Sequence, residues 1–324
     1  MKRTSAATAA VVSVLALTAC GSGSSPGSSG GGAGGSKVLG IVTISATDSN
    51  NAKVIAGATA AAKAKGWTVK VVDAQGNADQ ANSAMRTFAT QKVGAIFDLV
   101  FPVSSLGAGL AAARTAKVPV ATWGGGLANG VVMTTGDGAP FAEPSVDSLL
   151  TSVGDKGSVL ALTYRTGQVC RDREGILDQK LKAMPGVQVT KNEVNIPGFL
   201  QDGAKYANAW LAKHPAGSGN LAVWGCWEDP TLGAISALKQ QGRTDVKTFG
   251  INGSAQAVKA VKDGSLTSTV WEDGAKEGAT MFATVLEAVA AGASWKQKTV
   301  DVPGVVVDST TIDQFLTEHP DAIS

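Results

Sequence analysis

Histidine is almost missing from this chain. There are two in 324 residues, with only three cysteines beside them. His214 and His319 each precede a proline, in "KHPAG" and "EHPDA", and both read as helix caps with no ligand or nucleophile next to them. A metal site built from clustered His and Cys is therefore excluded. No G-x-S-x-G, H-E-x-x-H or Walker A run occurs either, so no enzyme and no cofactor are expected. A charge surplus is missing as well. Without Lys2 and Arg3, 26 basic residues face 26 acidic ones, and no basic run gives a reason to expect nucleic acid. No stretch reaches the ~20 consecutive apolar residues of a membrane-spanning helix.

The beginning of the chain carries an address. Lys2 and Arg3 precede an apolar run, Ala6 to Leu17, of a length suited to a signal rather than a span. The run ends in Leu17-Thr18-Ala19-Cys20-Gly21, which resembles the bacterial lipobox. That resemblance implies a signal peptide over 1–19, lipidation of Cys20, and a cell-membrane protein lipid-anchored on the extracytoplasmic face. The alternatives are an ordinary secretory signal cleaved nearby or an uncleaved anchor. Residues 20–36 are nearly all Gly and Ser and behave as a flexible tether. About 290 residues follow, enough for two lobes with sizeable cores.

From Lys37 the pattern alternates. "VLGIVTI" reads as a strand, Ala52–Gly66 as an Ala-rich helix with a glycine stop, "WTVKVVD" as a strand and Asp79–Gln91 as a helix. "VGAIFDLV", Gly107–Ala116 and "VPVATW" continue it. After Asp137 it restarts, with strands expected at Ser158–Thr163, Val187–Val194, Leu221–Trp224, Val246–Gly250 and Ser268–Trp271. Helices are expected between them, including Arg173–Met184, Pro230–Gln241 and Ala275–Ala291. Apolar strands alternating with helices predict parallel sheets covered on both faces. The fold class is α/β, as two doubly wound parallel-sheet lobes, with a single barrel as the alternative.

Ligands of such sheets bind beyond the carboxyl ends of the strands. There the chain places Asp48, Asn50 and Asn51, then Phe101, then Trp123. In the second half come Arg171 and Arg173, Trp227, Asn252, and Trp271 with Glu272. Indole faces pack on sugar C–H faces and attract cations; carboxylates accept hydroxyl hydrogen bonds or balance a cation. Trp67, Trp210, Trp224 and Trp295 read as packing.

Several phrases resemble the type I periplasmic binding proteins of sugar ABC transporters, the ribose-binding group. They are Gly66-Trp67 followed by "VVDAQGNADQ", "VPVATW", "RDREG" at Arg171–Gly175, and the long run "EDPTLGAISALKQQGRTDVKTFGINGSAQAVKAVKDGSLTSTV". The resemblance covers about 37–310. It implies the periplasmic binding protein-like I fold, with lobes over 37–140 plus 273–302 and 141–272 plus 303–324 joined by a three-strand hinge. The implied partners are a small solute and a membrane permease, and a monomer is expected. Carried over residue by residue, the site departs from the sugar pattern. Asp48 matches, while Asn50 and Asn51 fall where the group has a stacking aromatic pair. Trp123-Gly124 replaces an Asp-Arg pair, Trp227 an Asn, Asn252 an Asp, Glu272 a Gln, and Phe101 a polar residue. Arg171 and Arg173 flank the register of the hydroxyl-binding arginine. Ribose itself is not expected; a sugar, polyol or related solute is, with a sensor for a membrane receptor kinase or an amine binder as alternatives.

With Cys20 lipidated, Cys170 and Cys226 remain, both expected in loops at the cleft end. In an oxidising compartment an even pair reads as a disulfide; the alternative is two buried thiols. Glu228-Asp229-Pro230 reads as the start of a helix, with acids at its positive end.

Overall fold

The computed structural model describes residues 36–323; the signal segment, Cys20 and nearly all of the tether lie outside the described residues. The first half alternates as β1 (Val38–Thr43), α1 (Ser49–Ala64), β2 (Thr68–Asp73), α2 (Ala78–Thr90), β3 (Ala95–Leu99), α3 (Gly107–Thr115), β4 (Val120–Trp123) and β5 (Val131–Thr135). The second half runs α4 (Ala139–Val153), β6 (Gly157–Thr163), α5 (Gln168–Leu181), β7 (Gln188–Glu193), α6 (Phe199–Leu211), β8 (Asn220–Gly225), α7 (Glu228–Gln240), β9 (Val246–Phe249), α8 (Ala255–Lys262) and β10 (Ser268–Trp271). It ends with α9 (Gly274–Ala291), β11 (Lys298–Val300), β12 (Val305–Asp308) and α10 (Ile312–Glu318).

These strands form two six-stranded sheets, not a barrel, in the orders β11-β5-β4-β3-β1-β2 and β12-β10-β9-β8-β6-β7. All neighbours are parallel except β12, which runs antiparallel to β10. Central strand β3 is buried throughout and β8 from Leu221 onward, while the edge strands β2 and β7 are half-exposed. The chain crosses between sheets three times, at 136–138, 272–273 and 301–304. Helices α1 and α9 pack together on the first sheet, as do α2 and α3; on the second, α4 packs with α5 and α6 with α7.

Local signals account for most boundaries. Asp48 caps α1 by accepting from the Asn50 and Asn51 amides at 3.1 and 2.8 Å, so the helix starts three residues before the Ala-rich stretch. Gly66 ends it at φ +72°. Helix α5 starts at Gln168, five residues before the expected Arg173. Its preceding Gly167 offers no capping side chain, so the start carries no sequence signal. Cys170, Arg171 and Arg173 therefore sit on the first turns of a helix, not in a loop. Strand β5, "VVMTT", was absent from the expected pattern, as were β11, β12 and α10.

Helices α1 and α9 touch through glycines. A Cβ on Gly57 would sit 1.8 Å from the Ala275 carbonyl oxygen, and one on Gly278 would sit 2.0 Å from that of Val54. Both obstacles are backbone, so neither yields by a rotamer change. Gly278→Ala gains ~1 kcal/mol of helix propensity, yet is expected to lower Tm by several degrees in thermal unfolding; an unchanged Tm would mean that the helices do not pack this closely.

Cys170 and Cys226 are joined by a disulfide, with Cα atoms 5.2 Å apart. It ties the first turn of α5 to the loop after β8. With a sequence separation of 56, the chain-entropy model gives ~4 kcal/mol of stabilisation. Cys170→Ser with Cys226→Ser is expected to lower Tm by roughly 10 °C, and reductant should reproduce that loss in the wild type but not in the double variant.

Candidate functional site: a cleft at two switch points

In each sheet the connections leave in opposite directions from two adjacent strands: β1 and β3 in the first, β6 and β8 in the second. The crevice beyond the carboxyl ends of such a pair is where open α/β sheets bind ligands. The two crevices face each other across a small cavity that is partly open to solvent. The first lobe lines it with Ile44 after β1, Asp48 and Asn51 at the start of α1, Val100 after β3, and Trp123 at the end of β4. The second contributes Tyr164 after β6, Val169, Cys170 and Arg173 from α5, Ile196 after β7, Trp227 after β8, and Asn252 after β9.

Arg173 organises the floor. Its side chain is fully buried. Nε and Nη2 donate to the Asp137 carbonyl at 2.9 and 2.8 Å; Nη1 donates to the Cys226 carbonyl at 2.8 Å and to Asn252 Oδ1 at 2.7 Å. Asp137 belongs to the first crossover, so this side chain ties the hinge to the loops after β8 and β9. Glu228 holds Asn252 in place from below, accepting from the Gly253 and Ser254 amides at 3.2 and 2.7 Å. Asn252 adopts φ +103°, a region that asparagine tolerates better than most residues. Val100 adopts φ +81°; for a β-branched residue this is strain of about 1–3 kcal/mol. Its amide donates to the Trp123 carbonyl and its own carbonyl accepts from the Gln168 amide of the other lobe, at 3.0 and 3.1 Å.

Carboxylates crowd around this one guanidinium. Burial pushes Asp48, Asp137, Asp229 and Glu272 above the usual carboxylate range. Burial also lifts Glu228 to about 7, with Asp48 adding repulsion. Glu277 is lifted to about 8, by burial first and then by Asp137. Glu272 accepts from Asn50 Nδ2, and Glu277 Oε2 accepts from Trp123 Nε1 at 2.6 Å. Trp227 stands between Tyr164 and Phe199, ring centroids 6.1 and 5.7 Å away. Its Nε1 is buried and has no acceptor among the described residues, an unmet bond costing ~1–3 kcal/mol.

Of the residues singled out from sequence, Asp48, Asn51, Trp123, Arg173, Trp227 and Asn252 meet at the cavity. Five do not. Phe101 is wholly buried in the core, and the strained turn presents Val100 instead. Arg171 lies exposed on α5 and donates to Gln168 Oε1, because a helix turns residues 171 and 173 to different faces. The Asn50 and Glu272 side chains bond to each other beneath the cavity rather than lining it. Trp271 packs on Phe315 and His319, at 5.3 and 4.4 Å, and borders a separate cavity at the hinge. The unanticipated lining is mostly aliphatic: Ile44, Val100, Val169 and Ile196. Tyr164 had a signal, since it opens the loop "YRTGQVCRDRE" after a predicted strand.

The fold and the two-sided cleft define a clamshell solute-binding protein. A family model described as the periplasmic binding protein domain matches residues 39–294, and the chain belongs to that family. The family consists of extracytoplasmic solute-binding proteins of transporters, not enzymes. The chain is 27% identical to a xylitol-binding protein of Mycolicibacterium smegmatis, over 94% of this chain and 86% of that one. It is 26% identical to the ribose import binding protein RbsB of Bacillus subtilis, over 64% of this chain and 67% of that one. A solute-binding protein from Agrobacterium vitis, solved with bound allitol, has the same fold: TM-score 0.79 and 24% identity, covering 87% of this chain and 99% of that one. No helix among the described residues is long and apolar enough to cross a membrane.

The buried acids set a pH dependence. A carboxyl with a higher pKa folded than unfolded binds more protons in the native state between those two values, so stability falls as pH rises through that window. For Glu277 it runs from the ordinary 4.5 to about 8, and for Glu228 from 4.5 to about 7. Tm is expected to be highest near pH ~5 and to decline towards pH ~8. Glu277→Gln, which keeps an acceptor for Trp123, should flatten the upper part of that decline; a variant whose profile parallels the wild type would refute the assignment.

Proposed function

We propose that this chain is the substrate-binding lipoprotein of an ABC importer, which closes two lobes on one small polar solute of the sugar or polyol class and delivers it to a membrane permease. The observation that carries the reading is the cavity shared by two switch points, with polar side chains from both lobes. The relatives named for xylitol and ribose support the ligand class. In this reading the lobes comprise 37–140 with 273–302 and 141–272 with 303–324, and the protein acts as a monomer. Asp48, Asn51, Trp123, Trp227 and Asn252 touch the ligand. Cys20 is the lipidated residue of a lipobox, and 20–36 the tether that lets the lobes reach a permease.

Arg173 plays a different part from the hydroxyl-gripping arginine expected from sequence. Four of its five N–H groups are engaged by protein acceptors. It serves chiefly to hold Asn252 and the hinge in place. Asp48 is the one carboxylate on the cavity wall. Its Oδ1 caps α1, leaving Oδ2 for a hydroxyl.

A thermal-shift panel of pentitols, hexitols, pentoses, hexoses and quaternary amines tests the class. Stabilisation is expected among the polyhydroxylated compounds; hits confined to the amines would replace this reading with the cationic one. Asp48→Asn preserves the helix cap but removes the charge, and a hydrogen bond to a charged group contributes ~1.5–3 kcal/mol. Calorimetric titration of the best polyhydroxylated hit should show affinity weakened roughly tenfold or more; unchanged affinity would take Asp48 out of the site.

A further inference from the structure

The cavity is unevenly furnished for a fully hydroxylated ligand. Much of its polar capacity is already engaged by protein. Asn51 Nδ2 donates to the Ser45 carbonyl at 2.9 Å, Asn252 Oδ1 accepts from Arg173, and Asp48 Oδ1 caps α1. What stays open among the described residues is Asp48 Oδ2, Asn51 Oδ1, Asn252 Nδ2 and one hydrogen on Arg173 Nη2, with the Tyr164 hydroxyl on the same wall. A pentitol has five hydroxyls, each a donor with two acceptor lone pairs, so these positions leave much of its capacity unmatched. The rest of the wall is Trp123, Trp227, Cys170 and four aliphatic side chains, Ile44, Val100, Val169 and Ile196.

Part of the aliphatic lining is separate from the polar lining. Asp48 and Asn51 belong to the start of α1, which approaches the start of α7, where Ser49 Oγ meets Asp229 Oδ1 at 3.5 Å. Val100 and Val169 lie where α5 begins, while Ile44 precedes Asp48 on its own segment and Ile196 follows β7. A Cβ on Gly124 would sit 2.1 Å from Val169 Cγ2, and one on Gly167 would sit 3.0 Å from Val100 Cγ1. Glycine or asparagine would relieve the positive φ at position 100, yet a valine stands there and lines the cavity.

We propose that the ligand is two-faced: a sugar or polyol with hydroxyls on one part and a deoxygenated or alkyl-bearing part that packs on Val100 and Val169. The proposal rests on the solute-binding reading above and narrows its ligand class to deoxy or alkyl-substituted members. Hydroxyl-rich ligands bring groups that the aliphatic wall strips of water without replacing their hydrogen bonds.

Calorimetric titration of the purified full chain with matched pairs tests it: ribose against 5-deoxyribose, L-galactose against L-fucose, L-mannose against L-rhamnose, with xylitol as the fully hydroxylated reference. The deoxy member of at least one pair is expected to bind tenfold or more tightly than its partner and than xylitol. Val100→Thr keeps the β-branched shape, adds a hydroxyl to the wall, and should shrink that ratio at least threefold. Hydroxylated members that bind as well as or better than every deoxy partner overturn the proposal and leave the polyol reading standing. So does xylitol binding with no response from any pair. Failure of every compound, xylitol included, overturns both.

Discussion

The buried guanidinium of Arg173 is the constraint on which the cleft depends. It is the only basic side chain fully buried among the described residues. Burial lowers its pKa, while Glu272, Asp137 and Glu228 hold it up. An unpaired cation in such a place would be untenable, so the acids around it are a condition of its presence. The carbonyls it binds come from three separated segments: the first hinge crossover, the loop after β8 and the loop after β9. A planar donor with fixed geometry sets those segments relative to one another in a way lysine would not. The disulfide at Cys226 fixes the same loop from the other side. The rigid half of the cleft is thus built from one cation, one covalent bond and a surplus of buried acids.

That surplus bears on what the site can hold. Burial lifts these carboxyls above their ordinary range, which favours their neutral forms. Only Asp48 lines the cavity itself; Glu228, Glu272 and Glu277 face protein donors. A count of acids near the cleft would favour a cationic ligand, whereas their partners show them working as scaffold. Glu228 shapes the Asn252 turn, Glu277 fixes the Trp123 indole, and Glu272 engages Asn50.

The alternation of strands and helices was legible in the sequence because buried parallel strands are continuous apolar runs and helices carried stop signals such as Gly66; the cap at Asp48 was read only as a site residue, and the start of α1 was missed with it. Where a signal was missing, the boundary was missed: α5 follows an uncapped glycine, and the short β5 precedes no helix of its own sheet. At the site, polarity was a good guide to Asp48, Asn51 and Asn252, and aromaticity to Trp123 and Trp227. It failed at Trp271, whose partners Phe315 and His319 lie in and just after α10, more than 40 residues later. It failed at Phe101 for a backbone reason, since the positive φ of Val100 turns the following side chain into the core. The aliphatic lining was invisible, because Ile44, Val100, Val169 and Ile196 look like ordinary strand and helix residues until the tertiary fold brings them to one cavity.

Closure has to be worth little without ligand for a clamshell to work. The direct polar ties between opposite sides are few: the Gln168 amide to the Val100 carbonyl, a long contact from Ser49 to Asp229, and Asn50 to Glu272 at the hinge. Against them stand the facing carboxyls of Asp48 and Asp229, which repel when both ionise. A solute bonded to the open oxygen of Asp48 and to the second lobe adds a tie between the two sides. By stabilising the closed form more than the open one, it shifts the balance by no more than that difference. Val100 of the first lobe packs against the cluster that holds Val169 of the second, which adds a second contribution across the lobes. A ligand that fills the polar side alone would use half of the closing surface, which is why the chemistry of the two walls, and not the polar residues alone, decides what this cleft selects.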